Sequence, residues 1–153
     1  MNTIYLSNWS SYRTPGMHGP GRKWTIMASP RAWERGEGRV AALAPITETL
    51  RPLVDAALAE RRFSTIGGPA LDTYRAAYGA WLRDCPTLTP GFLRAYRWDA
   101  MRHGDLVEDG ATLCCACAVR EALEGRCHRA WAAPFLVRAG WRVILDGVEV
   151  AGG

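Results

Sequence analysis

The segment LCCACAVREALEGRCHRAW, residues 113–131, carries four of the chain's five cysteines between positions 114 and 127 and contains the tripeptide Cys127-His128-Arg129. Cysteine sulfur does its chemistry as a thiolate, either as a nucleophile or as a metal ligand. Its proton leaves most readily beside cations or at a helix N-terminus. Both conditions are expected here. A helix over roughly 128–138 would start at Cys-His-Arg and turn its first backbone N–H groups and positive dipole end toward the preceding strand. Arg126 and Arg129 add cations. Cys127 is thus the expected thiolate or nucleophile, Arg129 the anion clamp, and His128 a proton-transfer or orienting group. Zinc is the alternative: Cys114, Cys117, Cys127 and His128 supply enough ligands for a tetrahedral site. Against it, the first pair lies in a strand rather than a knuckle turn, and adjacent helical residues point about 100° apart. The thiolate reading therefore assigns no metal. Cys114 and Cys115, taken alone, also suit small buried positions in a core strand.

Such a site needs a sheet to carry it. Residues 111–116 are short and apolar, as in a fully buried strand. With the helix over 128–138, the stop at Gly140 and the strand WRVIL (141–145), they form a βαβ unit with parallel pairing. TIYL (3–6) and KWTIMA (23–28) read as two more strands. The loop between them, residues 7–21, is dense in Gly, Pro and Ser, and loops of that length inside a compact domain tend to be functional. Helices are expected from Pro45-Ile46-Thr47, regular from Pro52, with Ile46, Leu50, Leu53, Val54, Ala57 and Leu58 at helical spacing, and from about Ala70, with Leu71, Tyr74, Ala77, Tyr78 and Trp81 on one face. Thr89-Pro90 predicts a third helix. The sum is one α/β domain over 1–153, a small Rossmann-like three-layer sandwich with a mostly parallel sheet. In such sheets ligands sit beyond the carboxyl ends of the strands, where Ser7, Asn8 and Cys117 fall.

The 153 residues, 48% hydrophobic and 22% charged, suit a single globular domain able to bury its own core. No apolar run approaches the ~20 residues of a membrane span, and the N-terminus lacks a secretory pattern. A cytoplasmic location with reduced thiols and no membrane partner is the expectation. Clustered, odd-numbered cysteines agree with it. The net charge of +4 is almost wholly arginine, since Lys23 is the only lysine. Arginine forks suit phosphate and carboxylate. Arg22-Lys23-Trp24 and Arg94–Arg97-Trp98 interleave cations with aromatics, the composition of a single-strand-binding surface.

The cysteine segment resembles the signature of the bacterial and phage family catalogued as domain of unknown function 488, in which a buried strand with a Leu-Cys pair leads through an acidic loop to Cys-His-Arg at a helix start. IYLSNWSSYR is similar to that family's first strand and Ser/Tyr loop, and TIMASPRAW to its second strand with a Pro-Arg step. The resemblance implies a Rossmann-like domain of unestablished chemistry and carries over Cys114, Cys127, His128 and Arg129, then Ser7, Tyr12 and Arg31. Cys115 and Cys117 depart from its pattern, and Glu121 or Glu124 fills its acidic position.

If the first loop folds over the crevice, His18, Tyr12 and Arg13 become the second half of the site, with Ser7, Asn8, Arg31, Cys117 and Arg126 around the ligand. The function expected is a small enzyme acting on a nucleotide, a nucleobase or modified DNA. The competing reading is a non-catalytic, phage-type module that grips DNA or protein and uses its cysteines structurally or for zinc.

Overall fold

Apolar side chains alternate along the central strands, and that alternation decides which face of the sheet is covered by helices. A computed structural model describes residues 2–61 and 68–151. Its strands are β1 (Thr3–Asn8), β2 (Lys23–Thr25), β3 (Gly38–Arg39), β4 (Arg94–Arg97), β5 (Ala100–Leu106), β6 (Ala111–Cys115), β7 (Arg142–Leu145) and β8 (Val148–Glu149). They form one sheet in the order β5-β4-β3-β2-β6-β1-β7-β8. The centre, from β3 to β7, is parallel; β4, β5 and β8 extend it antiparallel.

In parallel register, Ile4 lies beside Ala111 and Val143, Leu6 beside Leu113 and Leu145, and Trp24 beside Leu113. These residues share one face. Against it pack α1 (Leu50–Arg61), α2 (Pro69–Arg83) and α4 (His128–Arg138), α4 on β1 and β7, α2 on α4, α1 on α2, through Leu50, Tyr78, Leu82, Trp131 and Leu136. The short α3 (Val119–Leu123) touches α4. The other face carries Tyr5, Ser7, Thr112 and Cys114, and residues 14–22 strap across it: the Gly19 N–H donates to Thr112 Oγ1, and Gly19 lies against the Tyr5 ring. The described helices thus group on one face, where helices on both were expected.

The β6–α3–α4–β7 crossover carries the chain over β1, as the βαβ pattern predicts. Thr89-Pro90 opens a turn, not a helix, closed by the Phe92 and Leu93 N–H groups on the Thr89 carbonyl. Leu93 and Ala95 are buried while Arg94 between them faces out, a period of two that makes a strand, β4, and a bulge between Ala95 and Arg97 ends the alternation. His103, read near a helix end, is in β5. Gly67, taken with Gly68-Pro69 as a chain break, and Arg62 lie outside the described residues. Among the described residues, no helix is long and apolar enough to cross a membrane.

Candidate functional site

Asn8 and Cys115 are register partners at the carboxyl ends of β1 and β6, on the helix-covered face. Beyond Cys115 the chain leaves the sheet, and α3 with the left-handed Gly125 brings it back to Cys127, the N-cap of α4. That return sets three sulfurs together: Cys115, Cys117 and Cys127 all lie within 4.8 Å of one another, the Cys115–Cys127 pair at 3.3 Å. Cys115 and Cys127 are sealed from solvent and Cys117 is half-buried.

Arg129, the second residue of α4 and 0% exposed, is their counter-charge. Its Nη1 donates to Cys115 Sγ at 2.8 Å and to the Cys117 carbonyl at 2.8 Å, and lies 3.7 Å from Cys127 Sγ. Its Nε and Nη2 fork onto the Asp146 carboxylate at 3.0–3.3 Å. Every guanidinium nitrogen is engaged, so Arg129 is not free to clamp a substrate anion; it holds sulfur. Asp146 reaches it from the β7–β8 turn, where Asp146 and Gly147 both take positive φ (47° and 82°), the geometry an Asp-Gly hairpin turn adopts.

The negative charge expected on Cys127 falls on Cys117. The Cys115 thiol, then the Cys127 thiol, donates to Cys117 and pulls its pKa far below the ordinary thiol value, with His128 and Arg129 helping. Burial, and then the bond to Cys117, push Cys115 up to about 12 against the opposing bond to Cys127 and charge of Arg129; burial, and then the bonds to Cys115 and Cys117, push Cys127 well above its usual value. The three sulfurs therefore titrate as one set, in which Cys117 is the one drawn toward the thiolate. Cys114 faces the opposite side of the sheet, so the ligand set with Cys114 in it does not assemble; burial is the main cause that raises its pKa.

His128 donates from Nε2 to the Ile26 carbonyl at 2.8 Å and lies edge-on to Tyr78 at 5.7 Å. A carbonyl only accepts, so Nε2 carries the proton. Burial lowers the pKa of the ring and keeps it neutral. The imidazole lines the cavity but stays outside the sulfur cluster.

The sulfurs open on a cavity of about 240 Å³ between the sheet, α1 and α2, walled by Met27, Pro45, Val54, Ala57, Leu71 and Tyr74. Tyr74 is 6% exposed, and its hydroxyl has no hydrogen-bond partner among the described residues. Arg51 and Arg126 add cationic side chains to the lining. A buried hydroxyl without a partner is costly, which makes this cavity a place for a ligand.

The first loop does not complete this site. His18 bonds the Asn8 carbonyl through Nε2, Asn8 takes a short bond from Ser11, and Tyr12 is exposed beneath Arg13 and Lys23. Ser7 is buried beside Cys114 on the strapped face, its hydroxyl unpartnered among the described residues. Arg31 caps a 3₁₀ turn with Glu34. None of the six lines the cavity. Of the expected residues, Cys117, Arg126, Cys127, His128 and Arg129 come together. Cys115 as a cluster member, Asp146 and Tyr74 were not anticipated. An Asp-Gly turn at a parallel strand end and a tyrosine on the buried face of a helix were the available signals.

The two cation–aromatic stretches do not form a stacking platform. Trp24 is fully buried, Arg22 pairs with Asp105 and Glu108, Arg97 with Asp105, and Trp98 is flanked by Arg35 and Arg39. No family model, curated protein or solved structure matches the chain.

Proposed function

We propose that the protein is a small enzyme-like domain whose cysteine cluster acts on a nucleobase or nucleotide held in the cavity under α1 and α2. One observation carries this reading: a thiolate cluster held by Arg129 shares an apolar cavity of about 240 Å³ with the Tyr74 hydroxyl, which has no partner among the described residues. The volume suits a single ring system, apolar walls suit its faces, and a hydroxyl suits a ring nitrogen or carbonyl. Arg51 and Arg126 suit an attached phosphate. Cys117 supplies the nucleophile, Cys115 and Cys127 hold its charge by S–H donation, and Arg129, oriented by Asp146, holds the cluster in place. His128 orients the α4 start against β2. Kinship with Rossmann-like domains and with the domain-of-unknown-function family 488 belongs to the same proposal. It is supported by the parallel β2-β6-β1-β7 core and by Cys-His-Arg at the start of α4.

The test is a thermal-shift screen of nucleobases, nucleosides and nucleotides on the reduced protein and on Tyr74→Phe. A ligand at 100 times its Kd adds about 2.7 kcal/mol to wild-type stability. Tyr74→Phe should lose most of that shift while the ligand-free protein gains or holds stability, because an unpaired buried hydroxyl is gone. A full library with no shift, or equal shifts in both proteins, overturns the reading.

A further inference from the structure

We infer that Cys115, Cys117 and Cys127 form a soft-metal site that takes one zinc ion through three thiolates, with its fourth position open to the cavity. This rests on the cavity of the proposed function and goes beyond it: with the ion bound, Cys115 and Cys127 give up their protons and Cys117 is a ligand instead of a free nucleophile.

Geometry comes first. A tetrahedral zinc with Zn–S near 2.3 Å sets its sulfurs about 3.8 Å apart. The three sulfurs here lie within 4.8 Å of one another and as close as 3.3 Å, so the required spacing falls inside the range already present. Rotation of the half-buried Cys117 side chain adjusts its own two distances, and the Cys115–Cys127 pair has to open by about 0.5 Å. The ligands also come from fixed backbone: Cys115 ends a strand paired on both sides, and Cys127 caps α4.

Charge comes second. Three thiolates and Zn²⁺ sum to −1, a costly charge for a buried site. The Arg129 guanidinium lies against Cys115 and Cys127 and offsets that charge at the sulfurs, while Asp146 fixes the guanidinium from its other edge, so the set as a whole keeps the charge of −1 when Asp146 is ionised. Outer groups that bond the ligand sulfurs in this way orient and tune a metal site.

The surroundings decide what stays open. Cys114 faces away and His128 is held by Ile26, so the set is three sulfurs rather than a closed four-ligand knot. Structural zinc sites are closed, whereas sites that handle a ligand keep a position free. The free position meets the cavity that holds the Tyr74 hydroxyl. A water or the heteroatom of a bound ring would complete the tetrahedron there.

The experiment uses the full chain, reduced and stripped with a chelator, then titrated with Co²⁺ as an optical probe and displaced by Zn²⁺. One ion per chain with an intense thiolate-to-cobalt band is expected, and Cys114→Ser should keep it. Cys115→Ser, Cys117→Ser and Cys127→Ser should each weaken binding by more than tenfold, and Arg129→Lys by roughly 10- to 100-fold. Should a serine variant fail to fold, zinc protection of the wild-type protein answers instead: Zn²⁺ must block alkylation of Cys117 and leave Cys85 reactive. Absence of one-to-one binding, loss of it in Cys114→Ser, or unprotected Cys117 overturns the inference. Metal binding without any nucleobase or nucleotide shift keeps this inference and removes the proposed substrate. Ligand shifts in a metal-free chain that binds no zinc do the reverse.

Discussion

Arg129 and Asp146 form an ion pair with side chains 0% and 1% exposed. Such a pair is neutral only while both members are present. Arg129→Met leaves a buried carboxylate, already pushed toward its protonated form by burial, without the guanidinium that opposes this. The expected cost is about 3–5 kcal/mol in a denaturant titration. Arg129→Met with Asp146→Asn should recover more than half of it, because no charge is then stranded; asparagine also tolerates the positive φ at 146. A double variant as unstable as the single one would show that the pair is not the source of the loss. The sulfurs give a second prediction at this scale. The depressed pKa of Cys117 leaves it anionic in mildly acidic buffer, where an ordinary thiol near 8.5 is under about 1% ionised. Iodoacetamide at pH 6 on the metal-free protein should modify Cys117 before the other cysteines, read by peptide mass mapping. First modification at Cys127 would return the charge to the residue at which the sequence placed it.

At the scale of elements, the strapped face depends on one close approach. A Cβ on Gly19 would sit 2.2 Å from the Gly110 carbonyl oxygen and 2.3 Å from the Tyr5 ring. Gly19→Ala should therefore lift residues 14–22 from the sheet. The expected cost is about 1–3 kcal/mol, with faster amide exchange at Gly19 and Gly21, whose N–H groups bond Thr112 and Gly110. Unchanged exchange there would refute it. Elements with strong local patterns were legible in sequence: β1, β2, β6, β7, α2 and the start of α4 at Cys-His-Arg. The two-residue strands β3 and β8, and β4, were not. Gly38–Arg39 and Val148–Glu149 carry no period of their own and become strands only because a neighbouring edge offers hydrogen bonds. The strand Arg94–Arg97 was hidden behind a good helix start at Thr89-Pro90, and period two won once Leu93 and Ala95 could be buried.

For the whole molecule, acid should act through groups that fold in their less protonated form. Burial lowers the pKa of His18, with the bond to Asn8 opposing and Lys23 assisting. The unfolded ring, near 6.5, then binds a proton more tightly than the folded one. Stability is therefore complete above about pH 6.5 and falls as the pH drops below it. Burial works against the Glu108 carboxylate, but the Arg22 backbone and guanidinium outweigh it and hold the pKa below its usual value. Its contribution is lost later, in stronger acid. Melting temperature should decline from pH 7 to pH 5, and His18→Gln should flatten part of that decline, the rest belonging to His128, which burial also keeps neutral. Superimposable profiles would exclude His18.

Local order in the chain was enough to establish a parallel α/β sheet, the crossover from β6 to β7 and the convergence of Cys117, Cys127, His128 and Arg129, because strand period, helix starts and βαβ handedness all act over a few residues. Which sulfurs meet, which of them holds the charge and what neutralises Arg129 were decided only in three dimensions. Cys114 and Cys115 are adjacent in sequence yet belong to opposite faces, and Asp146 meets Arg129 across 17 positions. Burial and charge act through space, and a residue's chemistry follows from the neighbours that the fold assigns to it.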